Sequence, residues 1–552
     1  MAYRHGVYVS EQDTSLTAPI EGSAGLQVIF GTAPINMVAD PAKAVNTPLI
    51  CYSFAEAVAN VGYSDDFSKY TLCQSIDASF RVFNVAPIIL INVLDPSKAA
   101  HVTDVDADFY TLVNGQTTLA KRVQEYAVTQ DAKYKAGKFY FTKAGDVYTK
   151  VENPTIGGTI SGTTYELVTV TEAGYFGVLL SSIVVKDITG ATTYEPGTDY
   201  ITSFDENGFA VVTRLSAGSI AATDTLLISY TALNPDGVTA ADIIGGVNSA
   251  TGVMTGLELV AQIYPRFGLT PGLLLAPGWA SNPNVIAALQ AKCENINGCF
   301  RCECIVDIAS DATGASASPQ TAALKYSDVK TAKESLGISS QHAIACWPKA
   351  KIGDTVYAMS ALIAASIAYQ DAANDDVPYL YPSNKNARIT GTCLEDGTPV
   401  ILDQEQANLV NSFGVVTALN HNGFVYWGNN TAAYPSTTDP KDRWIAVRRM
   451  FSWWANTLIL TYHQRVDDPA NYRLVENIVD SENIRGNSFV ARQMVAEARC
   501  TFLESENPVT NILNGEITFH LYLTPFTPAE NIEFILEFNP YALQEALTGG
   551  EA

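Results

Sequence analysis

The periodicity of the hydrophobic residues changes twice along the chain, and this change limits the folds open to it. Residues 25–100 and 236–395 alternate apolar runs of strand length with segments of helical periodicity, which predicts a sheet covered by helices. Residues 101–235 instead contain short runs rich in Thr, Tyr and Val, separated by turn signals, which predicts a β-sandwich of roughly seven strands. We therefore predict an α/β domain that carries an inserted β-sandwich.

The predicted α/β domain rests on buried strands and capped helices. Leu26–Phe30 is predicted to be a buried strand, and Pro87–Leu94 is a continuous apolar run, as expected of a strand buried on both faces. Ser53 and Glu56 have the spacing of a capping box, so a helix is predicted to begin after Ser53. The Ala-rich segment Val356–Ala372 is apolar almost all round, which predicts a helix deep in the core.

Residues 396–552 are predicted to form an α+β C-terminal domain. Helical periodicity predicts long helices at 444–464 and 471–504. Apolar and polar residues then alternate over Gly515–Leu523 and Ile532–Phe538, which predicts two closing strands.

Both ends of the chain are predicted to be strand-donating arms. Residues 1–24 join a short strand-like run to a segment of small residues, and no neighbouring run is available to pair with it. At the other end, the alternating closing run presents an open edge. The predicted subunit-joining residues are Gly6, Val7, Tyr8, Val9, Ser10, Ile532, Phe534, Leu536 and Phe538.

The charge of the chain argues against two classes of partner. With 33 basic and 57 acidic residues, the net charge is −24, which opposes binding to nucleic acid and to anionic lipid. Only 16% of the residues are charged, as in a protein that buries its surface against copies of itself, although a secreted β-rich protein has a similar composition. Residues 1–10 lack the apolar run of a secretion signal, so we expect the chain to be made and folded in a cytoplasm.

Catalytic motifs are absent from the sequence, including nucleotide-binding glycine loops, zinc-protease helices and serine-hydrolase elbows. Asp307, His342 and either Ser360 or Ser366 follow the chain order of a subtilisin-type triad. Both serines lie in an apolar helical segment, however, whereas a nucleophile must be exposed beside its base. We expect a protein that is not an enzyme and that needs no cofactor.

Four of the nine cysteines, Cys293, Cys299, Cys302 and Cys304, lie close together in the sequence. A zinc site requires their sulfur atoms to converge on one point. Cys302 and Cys304 share one face of a predicted strand, but Cys299 points elsewhere and Cys293 falls on the preceding helix. We therefore expect buried free thiols and no metal site.

Arg485, Arg492 and Arg499 recur every seven residues, which predicts one basic stripe on a helix. Such a stripe is either a solvated helix face or a surface that docks an acidic partner. We assign it the second role as an expectation.

Several segments resemble phage tail sheath proteins. In the first part of the chain they are HGVYVSE (5–11), VIFGTAPI (28–35) and IILINVL (88–94). In the last part they are DGTPVIL (396–402), FVYWGNNTAA (424–433), WIAVRRM (444–450) and TPFTPAENIEFILEF (524–538). The order and spacing of these segments are similar to those of the family. One departure is Asn430, where the family often has a basic residue.

The resemblance implies a fold of the α+β multidomain class. It comprises a non-catalytic, subtilisin-like α/β domain (25–100 and 236–395), an inserted, outward-facing Ig-like β-sandwich (101–235), a C-terminal domain (396–552) and extended terminal arms.

The resemblance also implies a function. Subunits would form hexameric rings that stack helically around a tail tube protein, between baseplate and tail terminator proteins. Contraction would drive the tube through the host cell envelope during genome ejection. The subunit would be assembled in the bacterial cytoplasm and reside in the tail of the virion, with Arg485, Arg492 and Arg499 facing the tube.

Two alternatives remain open on the sequence alone. Relatives in bacteriocin-like particles share the implied architecture, so a domesticated tail particle fits as well as a phage. A surface or secreted adhesin is suggested by the Thr- and Tyr-rich sandwich, although the expected cytoplasmic origin opposes it.

Overall fold

The structure, a computed structural model, describes most of the chain. The described residues are 23–119, 125–128, 132–135, 140–144, 147–151, 154–167, 176–311 and 322–548. The predicted strand donors Gly6, Val7, Tyr8, Val9 and Ser10 lie outside them, so the N-terminal arm stays a prediction.

The elements of the described residues are as follows. The strands are β1 (Gln27–Gly31), β2 (Leu49–Cys51), β3 (Ile88–Asn92), β4 (Val102–Thr111), β5 (Gln116–Thr118), β6 (Glu125–Val128), β7 (Tyr140–Ala144), β8 (Val147–Lys150), β9 (Thr164–Leu167), β10 (Val184–Asp187), β11 (Tyr200–Phe204), β12 (Ala210–Arg214), β13 (Thr225–Leu233), β14 (Gly246–Val247), β15 (Met254–Thr255), β16 (Leu273–Leu275), β17 (Glu303–Asp307), β18 (Ala343–Cys346), β19 (Lys349–Ile352), β20 (Thr355–Tyr357), β21 (Gly391–Cys393), β22 (Val415–Asn420), β23 (Phe424–Trp427), β24 (Val495–Thr501) and β25 (His520–Pro525). The α-helices are α1 (Phe54–Val61), α2 (Thr71–Asp77), α3 (Ala240–Ile244), α4 (Ile263–Phe267), α5 (Pro283–Glu294), α6 (Val329–Ser335), α7 (Met359–Ala372), α8 (Gln404–Ser412), α9 (Pro440–Arg443), α10 (Ile445–Tyr462), α11 (Tyr472–Ala491), α12 (Val509–Leu513) and α13 (Pro540–Thr548).

Eight strands form the main sheet, in the order β2-β3-β1-β16-β17-β18-β22-β23. The strands from β3 to β22 run parallel, and the edge strands β2 and β23 are antiparallel to their neighbours. All side chains of β1, β3, β16, β17 and β18 are buried, so both faces of the sheet are covered, as predicted for β1 and β3. Because β22 pairs with β18, the sheet continues past residue 395, where the sequence predicts the C-terminal domain to begin.

Two predicted helices of this unit are present, one of them shortened. Helix α1 begins after Ser53, whose side chain accepts a hydrogen bond from the Glu56 amide. Helix α7 begins at Met359 and not at Val356, because β20 pairs with β19 as a hairpin. Most residues of α7 are buried, as its apolar composition predicts.

The described part of the insertion is built mainly from strands, with one 3-10 turn at Leu180–Ser182, and it contains more sheets than the sequence predicts. The three-stranded sheets β10-β13-β4 and β11-β12-β5 share an apolar core that includes Tyr110, Val185, Val212 and Ile228. A four-stranded sheet, β6-β9-β7-β8, is additional. A single sandwich of roughly seven strands is therefore too simple a description, because the strands between Glu125 and Leu167 pair among themselves.

Helices α10 and α11 and the hairpin β24–β25 pack around a cluster centred on Trp453, Trp454 and Phe489.

The prediction of one helix over 471–504 is wrong. Helix α11 ends at Ala491, and Gln493 adopts a left-handed backbone with φ 57°. The chain then reverses and pairs as β24 with β25.

The closing segment also differs from its prediction. Residues 526–539, including the predicted strand Ile532–Phe538, belong to no helix or strand in the described chain, and helix α13 follows them. No helix within the described ranges is both long enough and apolar enough to cross a membrane.

Candidate assembly surface

The C-terminal tail, defined here as residues 526–548, exposes an apolar segment to water. The side chains of Ile532, Phe534, Leu536 and Phe538 are 70%, 85%, 95% and 75% exposed. Burying each of them would gain about 1.5–3 kcal/mol. Soluble monomers rarely leave such a continuous apolar patch uncovered, which marks the tail as a surface for contact with another molecule.

The hairpin β24–β25 has one edge that is already covered. The Asn483 side chain of α11 donates to the Cys500 carbonyl oxygen at 3.0 Å and accepts from the Cys500 amide at 2.8 Å. A Cβ at Gly486 would lie 2.1 Å from the Ala498 carbonyl oxygen, so glycine allows α11 to approach the strand. Helix α11 therefore occupies the outer edge of β24.

The other edge of the hairpin, along β25, is available. Cys500 is paired with Leu521, and Ala498 with Leu523. Because the main-chain groups of Cys500 point outward to Asn483, these are the pairs that do not hydrogen-bond across the hairpin. The main-chain groups of Leu521 and Leu523 then also point outward, along an edge that pairs with no other strand of the described chain. Two donors and two acceptors are thereby offered to an added strand.

The face of β25 that packs on the protein is apolar. The side chains of Leu521 and Leu523 pack against the cluster of Trp453, Trp454 and Phe489. A strand added beside β25 would place every second side chain over the same cluster. The tail, in which alternate residues from Ile532 to Phe538 are large and apolar, has the pattern that this position requires.

The predicted arginine stripe does not exist, because α11 ends before it is complete. Arg485 is buried, with Nη2 2.8 Å from Glu482 Oε2 and its guanidinium 4.2 Å from the Trp454 ring centroid. Arg499 lies on β24, where it pairs with Glu497 and stacks on the Tyr522 ring. Arg492 follows the end of α11, where it is exposed and pairs with Asp375. The role of these residues toward a tube is a separate prediction, which the structure leaves open.

Of the residues in triad order, the structure brings Asp307 and Ser360 together but leaves His342 and Ser366 apart from them. Ser360 donates to Asp307 through both its amide (2.9 Å) and its hydroxyl (2.5 Å), and all three groups are buried. Burial raises the pKa of the Asp307 carboxyl. His342 instead faces Glu303, with Nδ1 3.6 Å from Oε1. Glu303 is four residues from Asp307 on the same strand, which is roughly 13 Å at ~3.3 Å per residue. Ser366 is buried within α7.

Three of the four clustered cysteines lie in the core. Cys293 and Cys302 are buried with their sulfur atoms 3.7 Å apart, Cys304 is buried on β17, and Cys299 is exposed. Burial raises the pKa of the Cys302 thiol, which favours the neutral form that packs as a small apolar group. Among the described residues, no group of three or more His, Cys, Asp or Glu side chains is placed to hold a metal ion.

Comparison with known proteins finds tail sheath proteins among the relatives of this chain. The tail sheath protein of Burkholderia phage BcepMu is 25% identical over 544 residues, which cover 97% of this chain and 96% of the relative. The tail sheath protein of Escherichia phage P2 is 24% identical over 53% of this chain and 69% of the relative. No family model matches the chain.

Two solved structures share the fold. The sheath complex of the PVC extracellular contractile injection system in its contracted state aligns with a TM-score of 0.52 at 12% identity and covers 99% of both chains. The contracted helical sheath of the anti-feeding prophage aligns with a TM-score of 0.50 at 13% identity and covers 97% of this chain and 98% of that one.

These findings define a structural assembly protein of mixed α/β multidomain fold, and not an enzyme. The chain is similar to phage tail sheath proteins over almost its whole length, and its fold is that of contractile sheaths.

Proposed function

We propose that this subunit polymerises into stacked hexameric rings around a tail tube and that contraction of the polymer drives the tube through the host cell envelope. The observation that carries the proposal is the exposed apolar tail together with the unpaired edge of β25 on the same chain. A subunit that carries both a strand donor and a strand acceptor builds an open polymer when the two join different copies.

Neighbouring subunits are joined by strand addition in this proposal. Residues Ile532–Phe538 of one subunit pair with β25 of a neighbour, where the main-chain groups of Leu521 and Leu523 supply four hydrogen bonds. At about 1 kcal/mol net for each bond, with the apolar side chains buried in addition, each joint is worth several kcal/mol. The N-terminal residues Gly6–Ser10 are proposed to add a second strand of the same kind.

The joints hold the polymer together while the folded domains change their packing as rigid bodies. In this proposal the α/β unit is subtilisin-like in fold, which its parallel sheet with covered faces supports. The inserted sandwich is Ig-like, and the two facing three-stranded sheets support this. Arg492 and Arg499 are proposed to face the tube, with a baseplate and a tail terminator at the two ends of the polymer.

The proposal places assembly in the bacterial cytoplasm. A phage tail and a phage-derived particle both remain consistent with it, because relatives and fold neighbours include phages, a prophage and an injection system. The similarity to tail sheath proteins favours this proposal over the adhesin alternative.

The test is negative-stain microscopy of the purified protein and of a variant that lacks residues 526–552. The full chain is expected to form long hollow cylinders, and the shortened chain is expected to stay as soluble subunits with an unchanged thermal midpoint. Normal cylinders from the shortened chain would contradict strand donation by the tail.

A further inference from the structure

The root of the C-terminal tail is fixed to the body through Glu530, which contacts Arg443 and also accepts from Asn430 Nδ2 at 3.4 Å. Arg443 is the last residue of α9, and its Nη2 lies 3.0 Å from Oε2 of Glu530. Its Nε donates to Oδ1 of Asn430 at 2.8 Å, and its guanidinium lies 4.0 Å from the ring centroid of Trp444. Glu530 lies two residues before the apolar donor segment, so this contact sets where the donor segment leaves the subunit.

The root of the N-terminal arm is fixed by a second arginine, six residues further along the chain. Arg449 lies in α10 and is buried. Its Nη1 donates to Asp371 Oδ1 at 3.1 Å, and its Nη2 contacts the same carboxylate and donates to the Ala24 carbonyl oxygen at 3.1 Å. Ala24 is one of the first described residues, and it packs in the same cluster as Trp453.

The two arginines are joined by a stiff segment. Asp442 of α9 lies 3.1 Å from Nη1 of Arg448 in α10, which ties the short helix to the long one. Helix α10 has 18 residues, and most of them are buried. The guanidinium of an arginine holds two partners in fixed directions, which a lysine does not.

We infer that the α9–α10 segment is the anchor that positions both arms, with Arg443 and Arg449 as its positioning residues. This inference rests on the proposed strand donation. A pull on the tail then passes through Arg443 along α10 to Arg449 and the N-terminal root, and α10 is braced against the main sheet by the bond from Ser452 to Glu303 of β17. The α9–α10 segment thus connects the two arms by which each subunit binds its neighbours.

The tail root is tested by a charge swap between Arg443 and Glu530. The variants are Arg443→Glu, Glu530→Arg and the double variant, with Lys351→Glu on the β19–β20 hairpin as a control of equal charge change. Each single change is expected to raise the critical concentration for polymerisation about fivefold, as the loss of an exposed ion pair would. The double variant is expected to recover part of this loss, because it restores the charge contact but not the bond to Asn430 or the stacking on Trp444. The control is expected to stay within about twofold of the wild type.

Folding defects are separated by a second measurement and a milder variant. Thermal midpoints of the soluble subunits report the fold, and Glu530→Gln removes the charge without reversing it. A raised critical concentration with an unchanged midpoint supports the inference. An unchanged critical concentration in all single variants overturns it, and the chain lacking residues 526–552 then shows whether strand donation itself survives.

The N-terminal root is tested with Arg449→Lys, which keeps a charge beside Asp371 but lacks the second guanidinium arm. The Ser23 amide donates to Thr270 Oγ1 at 3.1 Å, so its hydrogen exchange reports whether the root is docked. Exchange at Ser23 is expected to become about tenfold faster, while the amides of β16 keep their protection. Unchanged exchange at Ser23 would overturn the role of Arg449.

Discussion

Asn483 holds both main-chain groups of Cys500, so a single side chain takes the place of a neighbouring strand along β24. This contact leaves β25 as the acceptor edge of the hairpin. Replacing Asn483 by alanine is expected to lower the free energy of unfolding by about 1–3 kcal/mol, because a buried amide and carbonyl lose their partners. Urea unfolding measures the change.

The matched control for that variant is Asn487→Ala, one helical turn further along α11 and exposed. It is expected to change the free energy of unfolding by no more than about 0.5 kcal/mol. Equal losses in the two variants would show that Asn483 does not stabilise the protein through the strand edge.

Gly486 is predicted to be required for the close packing of α11 against β24. A Cβ at this position would lie 2.1 Å from the Ala498 carbonyl oxygen, so Gly486→Ala must push α11 away from β24. A loss of about 1–3 kcal/mol in the free energy of unfolding is expected. Gly246→Ala, where a Cβ meets no atom within 4 Å, is the control. A Gly486→Ala protein as stable as the control would refute the close approach.

The insertion is predicted to be dispensable for polymerisation. The Asn234 amide donates to the His101 carbonyl oxygen at 2.7 Å, so the two ends of the insertion are adjacent. A short Gly-Ser linker in place of residues 102–233 therefore leaves the α/β unit closed. Microscopy is expected to show cylinders that are thinner than those of the full chain. Aggregation of the shortened protein would contradict this prediction.

Lys333 is predicted to make the folding stability of the subunit depend on pH. Its ammonium group donates to the carbonyl oxygens of Phe413 at 2.5 Å and Tyr434 at 2.9 Å, and burial lowers its pKa to about 8. Between pH 8 and its ordinary pKa of about 10.5, the unfolded chain binds more protons at this site than the folded chain does. Stability therefore rises with pH across this window.

The measurement is the difference in unfolding free energy between the wild type and Lys333→Met as a function of pH. The wild type is expected to gain on the order of 2–3 kcal/mol relative to the variant from pH 7 to pH 11. Other titrating groups cancel in this difference. A difference that does not vary with pH would show that Lys333 titrates normally.

The sequence predicts the α/β unit well and the C-terminal hairpin poorly, for physical reasons. The short apolar segments that form β1 and β3 indicate strands buried on both faces of a sheet. By contrast, residues 495–501 (VAEARCT) contain good helix formers, and only the turn at Gln493 and the pairing with β25 make them a strand. The arginine stripe fails for the same reason, because it assumes a helix through Arg499.

The tail shows a different limit of sequence reasoning. The alternation from Ile532 to Phe538 predicts a strand, yet these residues pair with nothing in the described chain. A strand needs a partner, and the proposed partner belongs to another copy. The contacts of Arg443 with Glu530 and of Arg449 with Asp371 and Ala24 were also not predicted from the sequence, because these residues are 78 to 425 positions apart and no local pattern signals them.

The most direct test of strand addition is hydrogen exchange at β25 in soluble subunits and in assembled cylinders. The Leu521 and Leu523 amides point outward, whereas the Tyr522 amide faces β24 and serves as the internal control. Assembly is expected to slow exchange at Leu521 and Leu523 by about a hundredfold or more, as new main-chain hydrogen bonds would, while Tyr522 is protected in both states. Fast exchange at Leu521 and Leu523 in the cylinders would contradict the account.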